Sequence, residues 1–125
     1  MENDRHQQVQ VLEYQIRQLQ KIIESVDSQL LEINNTIDAL KDFDKLNLDT
    51  EVLFPLANGI FAKGRITDNK ILRINIGSDV NVEKSVNDTI IMMQKQAKEI
   101  ESYRDEINTQ LDKFISKIDE LQVRE

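Results

Sequence analysis

The side chains that most often perform chemistry are few in this 125-residue sequence, and their spacing fits no catalytic pattern. The one histidine, His6, lies in the polar N-terminus, and there is no cysteine, which excludes thiol catalysis and a Cys-type zinc site. Gly59, Gly64 and Gly77 have neither the GxGxxG nor the Gly-Lys-Ser/Thr spacing of a phosphate loop. The sequence therefore predicts no catalytic residue, no metal site, no cofactor and no enzyme activity.

The charged residues suit a solvated surface better than a reaction. Carboxylates such as Asp42, Asp44, Asp105 and Glu106 fall on polar helix faces or in linkers, where solvation is the ordinary outcome. Because 23 acidic residues outnumber 16 basic ones, we expect neither nucleic acid nor an anionic membrane as partner. The polar N-terminus and the lack of an apolar run of about 18 residues predict a cytoplasmic protein.

Apolar residues in the first third of the sequence recur at alternating spacings of three and four. With Val9 as position a, they fill every a and d position of about five heptads. This period predicts a coiled-coil helix over residues 7–43. An ordinary amphipathic helix on a globular core would show a wider stripe and a shorter length. The seam consists of Val9, Leu12, Ile16, Leu19, Ile23, Val26, Leu30, Ile33, Ile37 and Leu40.

The same rhythm returns later and predicts a second coiled-coil helix over residues 84–123. Two helices of similar length, on either side of a segment that reverses the chain, favour an antiparallel intramolecular coiled coil. The second seam consists of Val86, Ile90, Met93, Ala97, Ile100, Ile107, Leu111, Phe114, Ile118 and Leu121.

One charged residue interrupts the second seam. Arg104 occupies an a position, and counting heptad layers outward from the chain reversal places it opposite Val26. Its guanidinium would then lie within reach of Glu24 or Asp27. A polar residue in a coiled-coil seam commonly fixes the register at some cost in stability, and we expect that role here.

The segment between the helices contains all three glycines and the only proline, and its apolar residues recur with a period near two. Turn signals at Ala57-Asn58-Gly59, at 67–70 and at 77–79 divide it into four short strands. The sequence therefore predicts two β-hairpins in residues 50–83, within a single α+β domain of residues 1–125. Because four short strands leave edges and apolar faces uncovered, we expect this body to pair with other subunits.

This order of heptad helix, double hairpin and heptad helix resembles the α-type subunit of archaeal prefoldin. Two hairpins mark the α type, whereas β-type subunits have one. Asn58 and Asp79 stand where small residues are usual in the family, a departure that affects only turn detail. The matching motifs are Pro55-Leu56, Ile76-Gly77 and Val82-Glu83-Lys84.

The resemblance implies a hexamer of two α and four β subunits, in which the strands complete an intersubunit β-barrel. It also implies an ATP-independent chaperone that holds non-native polypeptides at coiled-coil tips and delivers them to a group II chaperonin. A structural or adaptor role in a prefoldin-like scaffold, without client holding, is the alternative. The residues expected at the assembly interface are Val52, Phe54, Leu56, Ile60, Ile66, Leu72, Ile74, Ile76, Val80 and Val82.

Client capture requires apolar side chains that reach water, and off-seam apolar residues concentrate where the first helix begins and the second ends. Seam residues there would contribute if the helix ends separate. Exposed apolar residues without a binding role are common on protein surfaces, which is the alternative. The expected client-binding residues are Val9, Val11, Leu12, Tyr14, Phe114, Ile115, Ile118, Leu121 and Val123.

Overall fold

The structure, a computed structural model, describes residues 2–123, with side chains described up to Gln122. It contains two compact units, the helical unit (Met1–Ile33 with Gln96–Glu125) and the hairpin unit (Asn34–Lys95). The predicted class, two long helices and two β-hairpins, is confirmed. The elements in chain order are α1 (Glu2–Asp44), β1 (Glu51–Ala57), β2 (Ile60–Arg65), β3 (Ile71–Asn75), β4 (Asn81–Ser85) and α2 (Val86–Val123).

In the helical unit, the two helices pack antiparallel along the predicted seam. Asp27 of α1 bonds Arg104 of α2, and Leu12 lies in one groove with Leu121, so the residue numbers run in opposite directions. Every predicted seam residue of this unit is buried or half-buried. Full burial of a large aliphatic side chain contributes about 1.5–3 kcal/mol, and a half-buried one contributes less. The buried residues of this unit all lie on the seam, so the seam supplies most of the apolar burial that stabilises it.

The helices begin at different residues than the heptads predict. Helix α1 starts at Glu2 and not at residue 7. The heptad pattern could not predict this start, because the residues before Val9 include no seam position. The acidic side chains of Glu2 and Asp4 interact favourably with the positive end of the helix dipole. Helix α2 starts at Val86 and not at residue 84. Ser85 caps it, since its Oγ accepts the backbone N–H of Asp88 at 3.0 Å.

In the hairpin unit, the turn between β2 and β3 forms hydrogen bonds with the end of α1 and with the start of α2. The Lys70 ammonium donates to the Asp44 carboxylate at 2.7 Å and to its carbonyl oxygen at 3.2 Å. The Asn69 amide donates to the carbonyl of Leu46 at 2.6 Å, and the N–H of Val86 donates to the carbonyl of Lys70 at 2.9 Å. Carbonyl groups that the end of α1 leaves without helical partners are thereby satisfied.

The first hairpin pairs β1 with β2 and contains a bulge at Leu56, where the register shifts between Pro55 and Ala57. Proline has no N–H to donate to the ladder, so a bulge beside it is physically reasonable. Gly59 closes the turn with a φ of 75°. On the sheet, a Cβ at Gly64 would overlap the Phe54 ring, so this glycine lets the ring lie against the opposite strand.

The second hairpin pairs β3 with β4 in regular register, with Ile74 opposite Val82. Its turn has three consecutive residues in the positive-φ region, Gly77 at 118°, Ser78 at 49° and Asp79 at 61°. The Asn75 side-chain oxygen accepts the N–H of Gly77 at 2.8 Å and stabilises the start of this turn. Because L-residues are strained at positive φ, the turn is the least favourable backbone conformation of the hairpin unit.

Two substitutions in this turn should change stability in opposite directions. Gly77→Ala should lower the free energy of unfolding by about 1–2 kcal/mol, because a Cβ is strained at that φ. Ser78→Gly should raise it by about 0.5 kcal/mol, since the strain relieved exceeds the added freedom of the unfolded chain. Thermal unfolding followed by circular dichroism at one protein concentration measures both, and shifts of the same sign would contradict this account.

Candidate functional site

The end of the helical unit formed by residues 2–16 and 111–122, here called the tip, presents apolar side chains outside the seam. Val11 and Tyr14 of α1 are each 57% exposed, and Ile115 of α2 is 42% exposed. Val11 and Tyr14 are three residues apart, so they are neighbours on one face of the helix. The fourth predicted off-seam residue, Val123, has a side chain outside the described part of the chain.

The seam residues expected to join the client contact are covered by the opposite helix. Leu121 is buried, with 8% of its surface exposed. The half-buried members are Val9, Leu12, Phe114 and Ile118. These residues therefore hold the helices together in this conformation, while the three off-seam residues supply the apolar surface that water reaches.

An open groove of about 600 Å³ lies across the tip. Val11, Leu12 and Leu121 form its apolar part. Its polar lining comes from Asp4, Gln7, Gln8 and Lys117. Because a glutamine amide both donates and accepts hydrogen bonds, the groove offers an apolar contact beside groups that can bond a polypeptide backbone.

Arg104 forms the seam's one described ion pair between helices. Its Nε lies 2.6 Å from Asp27 Oδ1, and its Nη2 lies 3.3 Å from Oδ2. The prediction that Arg104 reaches Glu24 or Asp27 is resolved in favour of Asp27. Both side chains are partly exposed, so the pair adds little stability. Two contacts join the guanidinium to the carboxylate, and the expected role of Arg104 in fixing the register stays a prediction.

The Asp27 pair also shifts two pKa values. The hydrogen bond from Arg104 lowers the pKa of Asp27 below its ordinary value; desolvation opposes this shift, and the positive charge of Arg104 adds to it. The same bond, with the charge of Asp27, raises the pKa of Arg104. Both groups therefore stay charged over the ordinary pH range.

One exposed aromatic residue of the helical unit is missing from the predicted site. Tyr103 is 46% exposed and lies at heptad position g, beside Arg104. Tyr103 lies in the middle of α2, away from the helix ends where off-seam apolar residues predicted client contact. The heptad assignment itself contains the signal, since position g borders the seam.

The second hairpin has one apolar and one polar face. Cross-strand partners share a face, so Ile74 with Val82 and Leu72 with Lys84 lie on one side, and Arg73 with Glu83 on the other. Five predicted assembly residues fall on the apolar side, where all are half-buried or exposed in the single chain: Leu72, Ile74, Ile76, Val80 and Val82.

The first hairpin carries exposed apolar residues on both faces, which the sequence did not predict; on one face they lie among Glu51, Lys63 and Arg65. Four predicted assembly residues occupy one face, and Leu56, in the bulge, is 69% exposed. The opposite face carries Leu53 at 60% and Phe61 at 57% exposure. The residues on the predicted face are Val52, Phe54, Ile60 and Ile66.

The described residues contain no arrangement suited to a bound metal. Among residues 2–123, no group of three or more acidic or histidine side chains is placed to hold a metal ion. His6 lies on an exposed helix face with its Nε2 3.3 Å from the amide nitrogen of Gln10. Within the same residues, neither helix is long and apolar enough to cross a membrane.

Comparison with known proteins identifies the family. A family model described as "Prefoldin subunit" matches residues 12–125. The chain belongs to the prefoldin family. Proteins named prefoldin subunit alpha are similar to it over most of their length, which confirms the predicted resemblance to the α type.

Three of these prefoldin relatives show the extent of the similarity. The subunit from Methanococcus maripaludis strain C5 is 28% identical over 103 residues, covering 82% of this chain and 69% of its own. Subunit alpha 1 of Methanocaldococcus jannaschii is 32% identical over 101 residues, covering 81% and 70%. The Archaeoglobus fulgidus subunit is 25% identical over 114 residues, covering 91% and 83%.

A solved prefoldin structure shares the fold. The filamentous prefoldin of Methanocaldococcus jannaschii superposes with a TM-score of 0.82 at 16% identity, covering 96% of this chain and 99% of that one. Prefoldins are a family of chaperones and not of enzymes, so the chain is a chaperone-type subunit.

The Asp27–Arg104 pair predicts a pH-dependent contribution to stability. Because the folded-state pKa of Asp27 lies below its unfolded value near 3.8, the contribution is present above that value and is lost as pH falls through the folded-state pKa. Asp27→Asn should therefore unfold at lower urea concentration than the unsubstituted protein between about pH 4 and 7. The difference should disappear in stronger acid. Glu24→Gln, one turn away and outside the pair, is the control and should show no such pH profile.

Proposed function

We propose that this prefoldin subunit is an ATP-independent holdase that captures non-native polypeptides at the tip and delivers them to a group II chaperonin. The observation that carries the proposal is the set of exposed off-seam residues, Val11, Tyr14 and Ile115, beside an open groove lined by amides. Apolar side chains on a solvated helix face reduce solubility, so their presence at the tip favours a binding role.

Binding at the tip is weak for any one contact. Burial of apolar surface contributes about 25 cal/mol per Å², and three partly exposed side chains offer a small area. Useful affinity then requires several tips that act on one client chain. Weak, distributed contacts also allow release without nucleotide hydrolysis, which is the behaviour required of a holdase that transfers its client.

Assembly with other subunits would bring several tips together, as binding of one client chain requires. We infer that the hairpins complete an intersubunit β-barrel with β-type subunits, as two α and four β chains in the cytoplasm. Two observations support this proposal. Both hairpins expose apolar side chains, and each is a separate two-stranded sheet, which is marginally stable in water by itself. Other subunits would cover these faces and pair the free strand edges.

Removal of the exposed apolar side chains at the tip should weaken client protection. The triple variant Val11→Ser, Tyr14→Ser, Ile115→Ser should suppress aggregation of a denatured client several-fold less well when assembled with a β-type subunit. The reason is the loss of the apolar area that the client contacts. Light scattering of a client diluted from denaturant measures protection, and size-exclusion chromatography with mass detection measures assembly.

Leu31→Ser is the matched control for this test, since Leu31 is 63% exposed on the same helix but lies outside the tip. The control should protect clients as the unsubstituted chain does. Equal protection by the triple variant would contradict client binding at the tip. A complex that assembles normally but protects no client, even with the unsubstituted chain, would identify the subunit as an adaptor.

Assembly should depend on one face of the second hairpin. Ile74→Asp places a charge on the apolar face and should prevent hetero-oligomer formation, because burial of an unpaired carboxylate costs several kcal/mol. Asn75→Asp introduces the same group at the next position of β3, on the polar face, and should assemble normally. Mass measurement of each variant mixed with a β-type subunit distinguishes them; normal assembly of Ile74→Asp would exclude this face from the interface.

A further inference from the structure

The net charge of the chain is concentrated in the helical unit. This unit has fourteen Asp and Glu residues against eight Lys and Arg, a net charge of −6. The hairpin unit has nine against eight, a net charge of −1. The helical unit, which contains the tip, therefore carries nearly all of the excess negative charge.

The excess extends to the tip itself. Residues 2–16 and 111–122 contain six acidic side chains, all exposed, and three basic ones. At physiological ionic strength charges act over about 8 Å, so these nearby residues determine the potential that a bound segment experiences. The acidic residues are Glu2, Asp4, Glu13, Asp112, Asp119 and Glu120.

The described lining of the groove contains one acidic and one basic residue, Asp4 and Lys117. The Nζ of Lys117 lies 3.8 Å from the carboxylate of Glu120, which places a second acidic group beside the lining and offsets the lysine charge. Asp4 forms no salt bridge among the described residues. The apolar part, formed by Val11, Leu12 and Leu121, has the Gln7 and Gln8 amides beside it, and the carboxylates of Asp4 and Glu120 are here called the acidic rim.

We propose that the tip groove selects non-native segments in which apolar side chains are flanked by lysine or arginine. This inference rests on the proposed holdase function and adds the chemical class of the client. The apolar residue of the segment occupies the groove, the glutamine amides bond its backbone, and the flanking cations lie against the acidic rim. An apolar segment flanked by Asp or Glu binds less well, because its carboxylates are repelled by those of the acidic rim.

Two labelled peptides test this selection directly. Both carry the same leucines and phenylalanines, and one has lysines where the other has glutamates. Fluorescence anisotropy with the chain assembled with a β-type subunit, which presents several tips, should show at least about five-fold tighter binding of the lysine peptide at low salt. The ratio should fall toward one as salt is raised, because screening removes the electrostatic difference and leaves the apolar contact.

Two lysine substitutions separate the groove from the overall charge. Lys117→Glu makes the rim more acidic and should increase the preference for the lysine peptide by about two-fold, as expected for charges acting near 8 Å. Lys98→Glu changes the net charge equally on the same helix. It lies about 28 Å from Lys117 by helix rise, several screening lengths away, and should leave the preference unchanged.

The outcomes distinguish this inference from the proposed function. Equal binding of the two peptides, with client protection intact, overturns the charge selection alone. If Lys98→Glu and Lys117→Glu change the preference for the lysine peptide equally, the inference is also overturned, because the effect would then follow net charge and not the position of the charge at the groove. Failure of both peptides to bind overturns it as well, and loss of client protection in the same preparation would overturn the holdase proposal with it.

Discussion

A two-stranded hairpin has too little area to bury a face of its own, and the hairpin unit contains two such hairpins. The second leaves Ile76 and Val80 exposed, and the first leaves Leu53 and Phe61 exposed on the side opposite Phe54. Each Å² of apolar surface that stays in water forgoes about 25 cal/mol. The chain alone therefore carries surface that only another polypeptide can cover, and this constraint is the physical basis of the assembly proposed above.

The helical unit is subject to a different constraint, the narrowness of a two-helix seam. Only positions a and d are covered, which leaves about five of every seven residues in water, and those residues must be mostly polar for the chain to remain soluble. The composition agrees, with 31% charged residues and 5% aromatic ones. Against this background the exposed apolar residues of the helical unit are exceptions, and three of the five lie at the tip: Val11, Tyr14 and Ile115, with Leu31 and Tyr103 elsewhere. The seam packs without them, and the client binding proposed above would account for their concentration at the tip.

The sequence predicted the features that depend on local periodicity. It did not predict those that depend on contacts between distant residues or on irregular strand pairing. Heptad spacing placed the seam correctly because it repeats every few residues, and the same count brought Arg104 to Asp27. It could not show that Lys70 bonds the end of α1, since that contact joins residues 26 apart. Leu53 and Phe61 were left out of the predicted interface because only one face of the first hairpin was read as apolar, although strand alternation places both residues on the other face. The bulge at Leu56, which shifts the register of β1, could not be read from alternation. The sequence predicted that the off-seam residues of the tip are exposed. It could not predict the groove, which is lined by residues of both helices and depends on how their side chains pack.

The two apolar surfaces differ in what they can bind, because they are built on different secondary structure. A strand edge offers backbone donors and acceptors in a fixed order, so a partner must match its register as well as its apolar pattern. A helix has its backbone bonds satisfied internally, and the tip offers only side chains, separated by amides and charges. Contacts of that kind accept many sequences and hold each weakly. In the proposed function, a disordered client would therefore bind the tip without meeting the requirements of the hairpins, so client binding and assembly would not compete for the same partner.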